Sequence, residues 1–347
     1  MKGLRKSLAV LAALAMLLTL VPTIALAEET GTVSGTFETN AVPTVSKVDF
    51  PAGLMTPQVN QTVTVTVSDA DKLSDLTEVK LVVYYDSDGT YSDAEAEAIS
   101  AGDTKTAAIF TWTITDGTPA EVPTMDPAHS DTTGSIISWV LGTCTKPADM
   151  TVTSDDFVFV FQPGKVATEA PSTDYGSAKW HFYAKATDSS SESGEGHDGQ
   201  GATMGWYGEI TVGPPAVDFG KLAAWTTFAT CTPQTLSTDS GIIYVSNGDW
   251  DAKVKSTSAW GGATLEPTET APASMTKDTF SLKANKDATL DGAVMVDTSD
   301  VAIDETGGLT DEEPTGVTTN TLWIQLASDF TAGSYNGTIT YIVADGA

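Results

Sequence analysis

The stretch "TVTVTVSDADKLSDL", residues 62–76, carries both the reading of the fold and the first question about function. Val63, Val65 and Val67 alternate with Thr62, Thr64 and Thr66. Successive side chains of a strand point to opposite faces, so the alternation predicts a strand with one apolar face. Three acids then arrive within seven residues: Asp69, Asp71 and Asp75. A strand ending in D-A-D sets two carboxylates on one side. Calcium takes roughly six to eight hard oxygens, and closely spaced Asp side chains with loop carbonyls supply them. The competing reading is structural: Asp ends strands and builds turns by capping its own backbone.

The same alternation recurs outward from this stretch. "EVKLVVYY" puts Val79, Leu81, Val83 and Tyr85 on one face, and "AAIFTWTIT" sets Phe110, Trp112 and Ile114 together. "SIISWVLG" aligns Ile137, Trp139 and Leu141. "FVFVF", residues 157–161, is apolar on both faces, as a central strand would be. "AKWHFYAKAT" points Trp180, Phe182, Ala184 and Ala186 inward, with Lys179, His181, Tyr183 and Lys185 outward. "TMGWYGEITV" groups Met204, Trp206 and Ile210. Residues 188–201, "DSSSESGEGHDGQG", have no apolar side chain and are expected to form a flexible solvent loop. "SDAEAEAIS", residues 92–100, is the one helical segment expected, after a Ser cap.

Two adjacent prolines in "TVGPPAVDFG", residues 211–220, end a strand and stiffen a connector. Beyond them the pattern restarts with "GIIYVSNGDWDAKVKS", expected as two strands about an Asn247-Gly248 hairpin turn. "DTFSLKAN", "GAVMVD", "TLWIQLA" and "SYNGTITYIV" follow. The expectation is an all-β chain of two tandem antiparallel β-sandwich domains, 41–213 with loop insertions and 214–347.

Residues 1–27 read differently. Lys2, Arg5 and Lys6 precede an apolar run from Leu8 to Leu20, and Ala25-Leu26-Ala27 is a small-x-small cleavage site. This is the pattern of a secretory signal peptide, which leaves a mature chain from Glu28 with no membrane span. The mature chain would hold 14 bases against 46 acids, a net charge of −32. Such a surface repels nucleic acid and anionic membranes, attracts cations, and suits a secreted, cell-surface protein.

"NAVPTVSKVDFP" followed by "NQTVTVTVSDADKLSDLTEVKLVVYYDSDG" resembles the opening of immunoglobulin-like modules in secreted bacterial and archaeal surface proteins. "FVFVFQPGKVA" and "AKWHFYAKATD" are similar to the closing strands of such modules. "VSNGDWDAKV" and "TAGSYNGTITYIV" look like another surface β-sandwich. The resemblance covers most of the mature chain and implies an extracellular role without enzyme activity. The first domain departs from it by its length, with insertions near 86–105 and 116–132, and by lacking a cysteine pair between its sheets.

Signals for chemistry are sparse. His129, His181 and His197 fall at no metal-ligand spacing. Gly194, Gly196 and Gly199 match GxGxxG, but inside the polar loop rather than between a strand and a helix. With 46 acids, nearby carboxylate pairs carry no weight for a glycosidase. Asp86 and Asp88 in "YYDSDGTYSDAE" are a second calcium candidate, though Tyr84 stands where a calcium loop needs its first acid. Cys144 and Cys231, 87 residues apart, are candidates for one bridge between the domains. Trp225 and Trp260 fall near loops, where an exposed ring stacks on sugars.

"GTVSGTFETN", within the N-terminal arm 28–40, places Val33 and Phe37 on one face. It pairs with its own domain or adds to the sheet edge of a neighbouring subunit. The functional expectation is a non-enzymatic surface protein, structural or adhesive, that associates with itself, with other surface proteins or with glycans. A secreted carbohydrate-binding or hydrolytic protein is the alternative, and a pilus-like, strand-donating filament subunit is another.

Overall fold

In the computed structural model, Gln61–Ser68 is a strand in which Val63, Val65 and Val67 are fully buried and Thr62 faces solvent. The structure describes residues 39–115, 121–127, 138–172, 176–213, 216–236, 242–307 and 317–346. Residues 1–27, the segment 28–38 with Val33 and Phe37, and His129 lie outside these. The chain is all-β apart from one short α-helix among the described residues, α1 (Asp93–Ala98), and two 3-10 turns. No helix among them is long and apolar enough to cross a membrane.

The first half contains β1 (Thr44–Asp49), β2 (Leu54–Met55), β3 (Gln61–Ser68), β4 (Leu76–Asp86), β5 (Ala107–Thr113), β6 (Thr124–Asp126), β7 (Val140–Leu141), β8 (Ser154–Gln162), β9 (Lys179–Asp188), β10 (Ser193–His197) and β11 (Thr203–Met204). Two antiparallel sheets, ordered β1-β3-β8-β7 and β10-β9-β4-β5-β6, pack around one core. Phe157, Phe159 and Phe161 of β8 meet Phe110, Trp112, Trp180 and Phe182 of the facing sheet in that core, all at most 1% exposed. Burying a side chain of this size stabilises by about 2–3 kcal/mol, so this aromatic layer dominates the half.

Three expectations are corrected here. His181 and Tyr183, expected outward on β9, are 3% and 2% exposed. The insertion at 86–105 explains it: Ala96 of α1 packs with Val82, Tyr84, Ile109 and Tyr183 in a small second core on the outer face of the sheet. The polar run 188–201 is not a loop throughout, because β10 within it pairs with β9. A side chain at Gly194 would strike the carbonyl of Pro43, the residue just before β1, at 2.0 Å. Glycine there lets two backbones approach, which is why the segment needs no apolar side chain to be ordered. "TMGWYGEITV" is not one strand: it breaks at Gly205, where the backbone N–H donates to Met55 O and the carbonyl accepts from Asn247.

The second half contains β12 (Gly208–Val212), β13 (Gln234–Leu236), β14 (Ile242–Ser246), β15 (Trp250–Ser256), β16 (Ala259–Trp260), β17 (Ala263–Leu265), β18 (Thr279–Asn285), β19 (Val294–Val296), β20 (Val301–Gly307), β21 (Val317–Thr318), β22 (Asn320–Leu326) and β23 (Ile339–Asp345). Its sheets run β12-β14-β21, β20-β15-β23 and β13-β22-β18-β17-β16, with β19 also on β18. β12 lies before the expected boundary at 213/214, yet it pairs with β14. Trp206 and Ile210 accordingly pack on the second core, while Met204 stays in the first.

Asn247-Gly248 does not make the expected hairpin. β14 and β15 go to different sheets and do not pair. Asn247 is instead fully buried where the halves meet. Its Nδ2 donates to Ala167 O (2.8 Å) and Gly205 O (2.9 Å), and its Oδ1 accepts from Tyr207 N–H (2.6 Å). Its carbonyl accepts from Glu169 N–H at 2.8 Å. A side-chain amide with both ends satisfied fills a polar gap that no apolar residue could fill. Trp206 Nε1–H donates to Asp249 O (2.8 Å) and Lys165 pairs with Glu209 (2.5 Å) beside it.

Cys144 and Cys231 are free thiols, so the expected bridge is not formed. Each is committed elsewhere. Cys144 packs on the first core, with Val160 N–H donating to its sulfur at 3.2 Å, and Cys231 is buried in the second.

Candidate metal centre and apolar cleft

β3 runs directly into the acidic turn. Asp69 N–H still donates to Thr153 O (2.8 Å), so the residue stays tethered to the sheet and only 2% exposed. The chain then turns through Lys72, at φ 87°, into the 3-10 turn Leu73–Asp75, whose buried Leu73 anchors it. β4 starts at once, and its register on β9 sets Leu76 opposite Asp188. That register brings the end of β9 to the acidic turn. Carboxylate oxygens of Asp69, Asp75 and Asp188 lie within 4.8 Å of one another.

The hydrogen bonds around the three acids are uneven. Asp188, 1% exposed, accepts Ser190 and Glu192 N–H on Oδ1 (both 2.9 Å) and Asn40 Nδ2–H on Oδ2 (2.8 Å). Those donors overcome the effect of burial and hold its pKa below the ordinary value. Asp75 Oδ1 accepts from Ser189 Oγ–H at 2.5 Å. Asp69 Oδ1 accepts from Asp71 N–H at 2.8 Å, but its Oδ2 is buried without a hydrogen-bond partner. Burial first, and then the charges of Asp75, Asp71 and Asp188, push the Asp69 pKa up.

Of the acids expected to bind metal, the structure unites Asp69 and Asp75 and leaves the others out. Asp71 is exposed and turns to cap Ala41 N–H at 2.6 Å. Asp86 and Asp88 take successive turn hydrogen bonds, from Asp88 N–H (3.1 Å) and Thr90 N–H (2.7 Å). That is the capping role, and Asp86 otherwise faces His181 Nε2 at 3.9 Å. Asp188 was not legible as a member: it stands at the head of a polar run, and only the β4–β9 register reveals it.

The second half holds a cleft of about 1030 Å³. Core side chains Trp260, Phe280, Leu322 and Ile324 form its floor, and residues 216–224 and 330–338 flank it. Asp218 and Lys221 are the charged residues lining it. Trp260, a sugar-stacking candidate, is only 8% exposed and donates from Nε1 to Ser256 Oγ at 3.1 Å. Trp225 is 60% exposed, at φ 74°. It borders a smaller hollow that shares Phe219, Lys221, Leu222 and Ala224 with the cleft. A bulky residue at positive φ is strained, and such strain concentrates at functional positions.

No protein-family model matches the chain, and no curated protein sequence matches it.

Proposed function

We propose that the exported chain is a non-enzymatic cell-surface protein of two immunoglobulin-like sandwiches that assembles with copies of itself through its second half. The cleft carries this reading. Phe280, Leu322 and Ile324 are at most 5% exposed, yet a cleft of about 1030 Å³ lies against them between residues 216–224 and 330–338, room enough to take further side chains. The sequence of the N-terminal arm offers the complement, since Val33 and Phe37 would share one apolar face of a donated strand. Donation of that arm from a neighbouring copy is the proposed form of assembly. The signal-peptide pattern and the charge of −32 support export and argue against nucleic-acid partners.

Native mass by light scattering tests this. The chain from Glu28 should form oligomers or filaments, and removal of residues 28–38 should return it to monomers. A monomer at every concentration overturns the reading. A glycan-binding surface protein is the second reading, favoured by the exposed Trp225. In that case a monomer binds immobilised polysaccharide, and Trp225→Ala lowers the affinity at least tenfold while leaving stability within about 0.5 kcal/mol.

A further inference from the structure

We infer that Asp69, Asp75 and Asp188 bind one calcium ion, which ties the β3–β4 turn to the end of β9. This site is independent of the assembly proposed above. It stands on two observations. The first is convergence: three carboxylates from two distant turns share a space 4.8 Å across, and two of them are at most 2% exposed. Like charges held so close disfavour one another, and burial removes the water that would screen them. The second is the Asp69 Oδ2 atom, buried in a residue 98% withdrawn from solvent and given no hydrogen-bond donor. A buried carboxylate oxygen without a donor is costly, and a cation satisfies it directly.

The donor set selects the metal. All three ligands are hard oxygens, with no Cys or His in the group, which disfavours zinc. Calcium accepts irregular oxygen cages and completes its shell with carbonyls and water, whereas magnesium demands a near-ideal octahedron. The bonds from Asn40, Ser189, Ser190 and Glu192 orient Asp75 and Asp188 without exhausting their lone pairs. The cross-link is a local one. β4 and β9 are already paired, and the ion would fasten their shared end and, through Asp188, the Asn40 side chain where the chain enters β1.

The test uses the full chain freed of metal with a chelator, then titrated with calcium chloride. Calorimetry and terbium luminescence should report one saturable site, and Tm should rise by about 5 °C at one hundred times Kd. Asp69→Asn and Asp188→Asn should abolish both responses, while Asp86→Asn keeps them. Asp75→Asn, at the more exposed position, is the control if a buried variant fails to fold: it should weaken binding at least tenfold. Three outcomes overturn the inference. One is an identical Tm in calcium and in chelator. Another is calcium uptake that survives in Asp69→Asn and Asp75→Asn, which marks diffuse attraction to an acidic surface. The last is saturation by magnesium with no response to calcium.

Discussion

The two halves of the molecule use their aromatic residues in opposite ways. In the first, Phe110, Trp112, Phe157, Phe159, Phe161, Trp180 and Phe182 interlock between two sheets at no more than 1% exposure. In the second, Trp260 and Phe280 belong to the core but also floor a cleft of about 1030 Å³. A close-packed interior has nothing left to gain from a partner. Space beside a core leaves the residues that border it with fewer packing partners than a filled interior gives. The first half therefore closes on its own core, while the second carries a cleft beside part of its core.

Removing one aromatic ring from each half should give the largest effect. Phe159→Ala removes a ring from a filled core and should cost about 3–5 kcal/mol in urea denaturation. Phe280→Ala removes one beside space that already exists, so the cavity contribution is smaller and the loss should be at least ~1 kcal/mol less. Equal losses would show that the cleft closes in solution.

Next in size is the residue that joins the halves. Asn247→Ala leaves the Ala167 and Gly205 carbonyls and Tyr207 N–H without their buried partner. Its expected cost is about 3 kcal/mol. Unfolding followed by tryptophan fluorescence and by calorimetry should then cease to coincide, as the halves melt apart. A single coincident transition in this variant would mean that the wider interface, not this amide, couples them.

The smallest effect is electrostatic and sits at the same junction. Glu169 has its pKa pushed from 4.5 to about 7, by burial first and then by Asp345 and Asp249. The folded chain thus holds a proton that the unfolded chain releases. Stability from this group is full below pH 4.5, declines as pH rises, and is gone above about pH 7. Glu169→Gln should flatten that decline and raise Tm by about 2 °C at pH 8. Thermal melts across pH 4–8 would show it, and an unchanged pH profile would place the titrating group elsewhere.

Period-two alternation made β3, β4, β5, β8 and β9 legible as strands, and the prolines at 214 and 215 marked where the pattern restarts. The errors share a cause. Alternation sets His181 outward but carries no sign of the insertion, whose Tyr91 packs against it. Turn chemistry at Asn247-Gly248 is local and favours a hairpin, while the sheets its two strands join are set at long range. β10 looks like loop in the sequence because glycines that admit a neighbouring backbone look the same as glycines that loosen a chain.

The candidate metal centre divides along the same line. Asp69 and Asp75 stood out because they crowd the end of a strand, but Asp71 at the same spacing turned to cap a backbone amide. Asp188 entered only through its place opposite Leu76. By itself the sequence determined that this chain is built of strands, where many of them lie, and how acidic it is, since backbone preference and side-chain alternation act between near neighbours. Which acids meet, which asparagine joins the halves and where a cleft borders the second core were decided by tertiary structure. Those depend on contacts between segments far apart in sequence, 80 residues for Asn247 with Ala167 and more than one hundred for Leu76 with Asp188, and no local pattern encodes them.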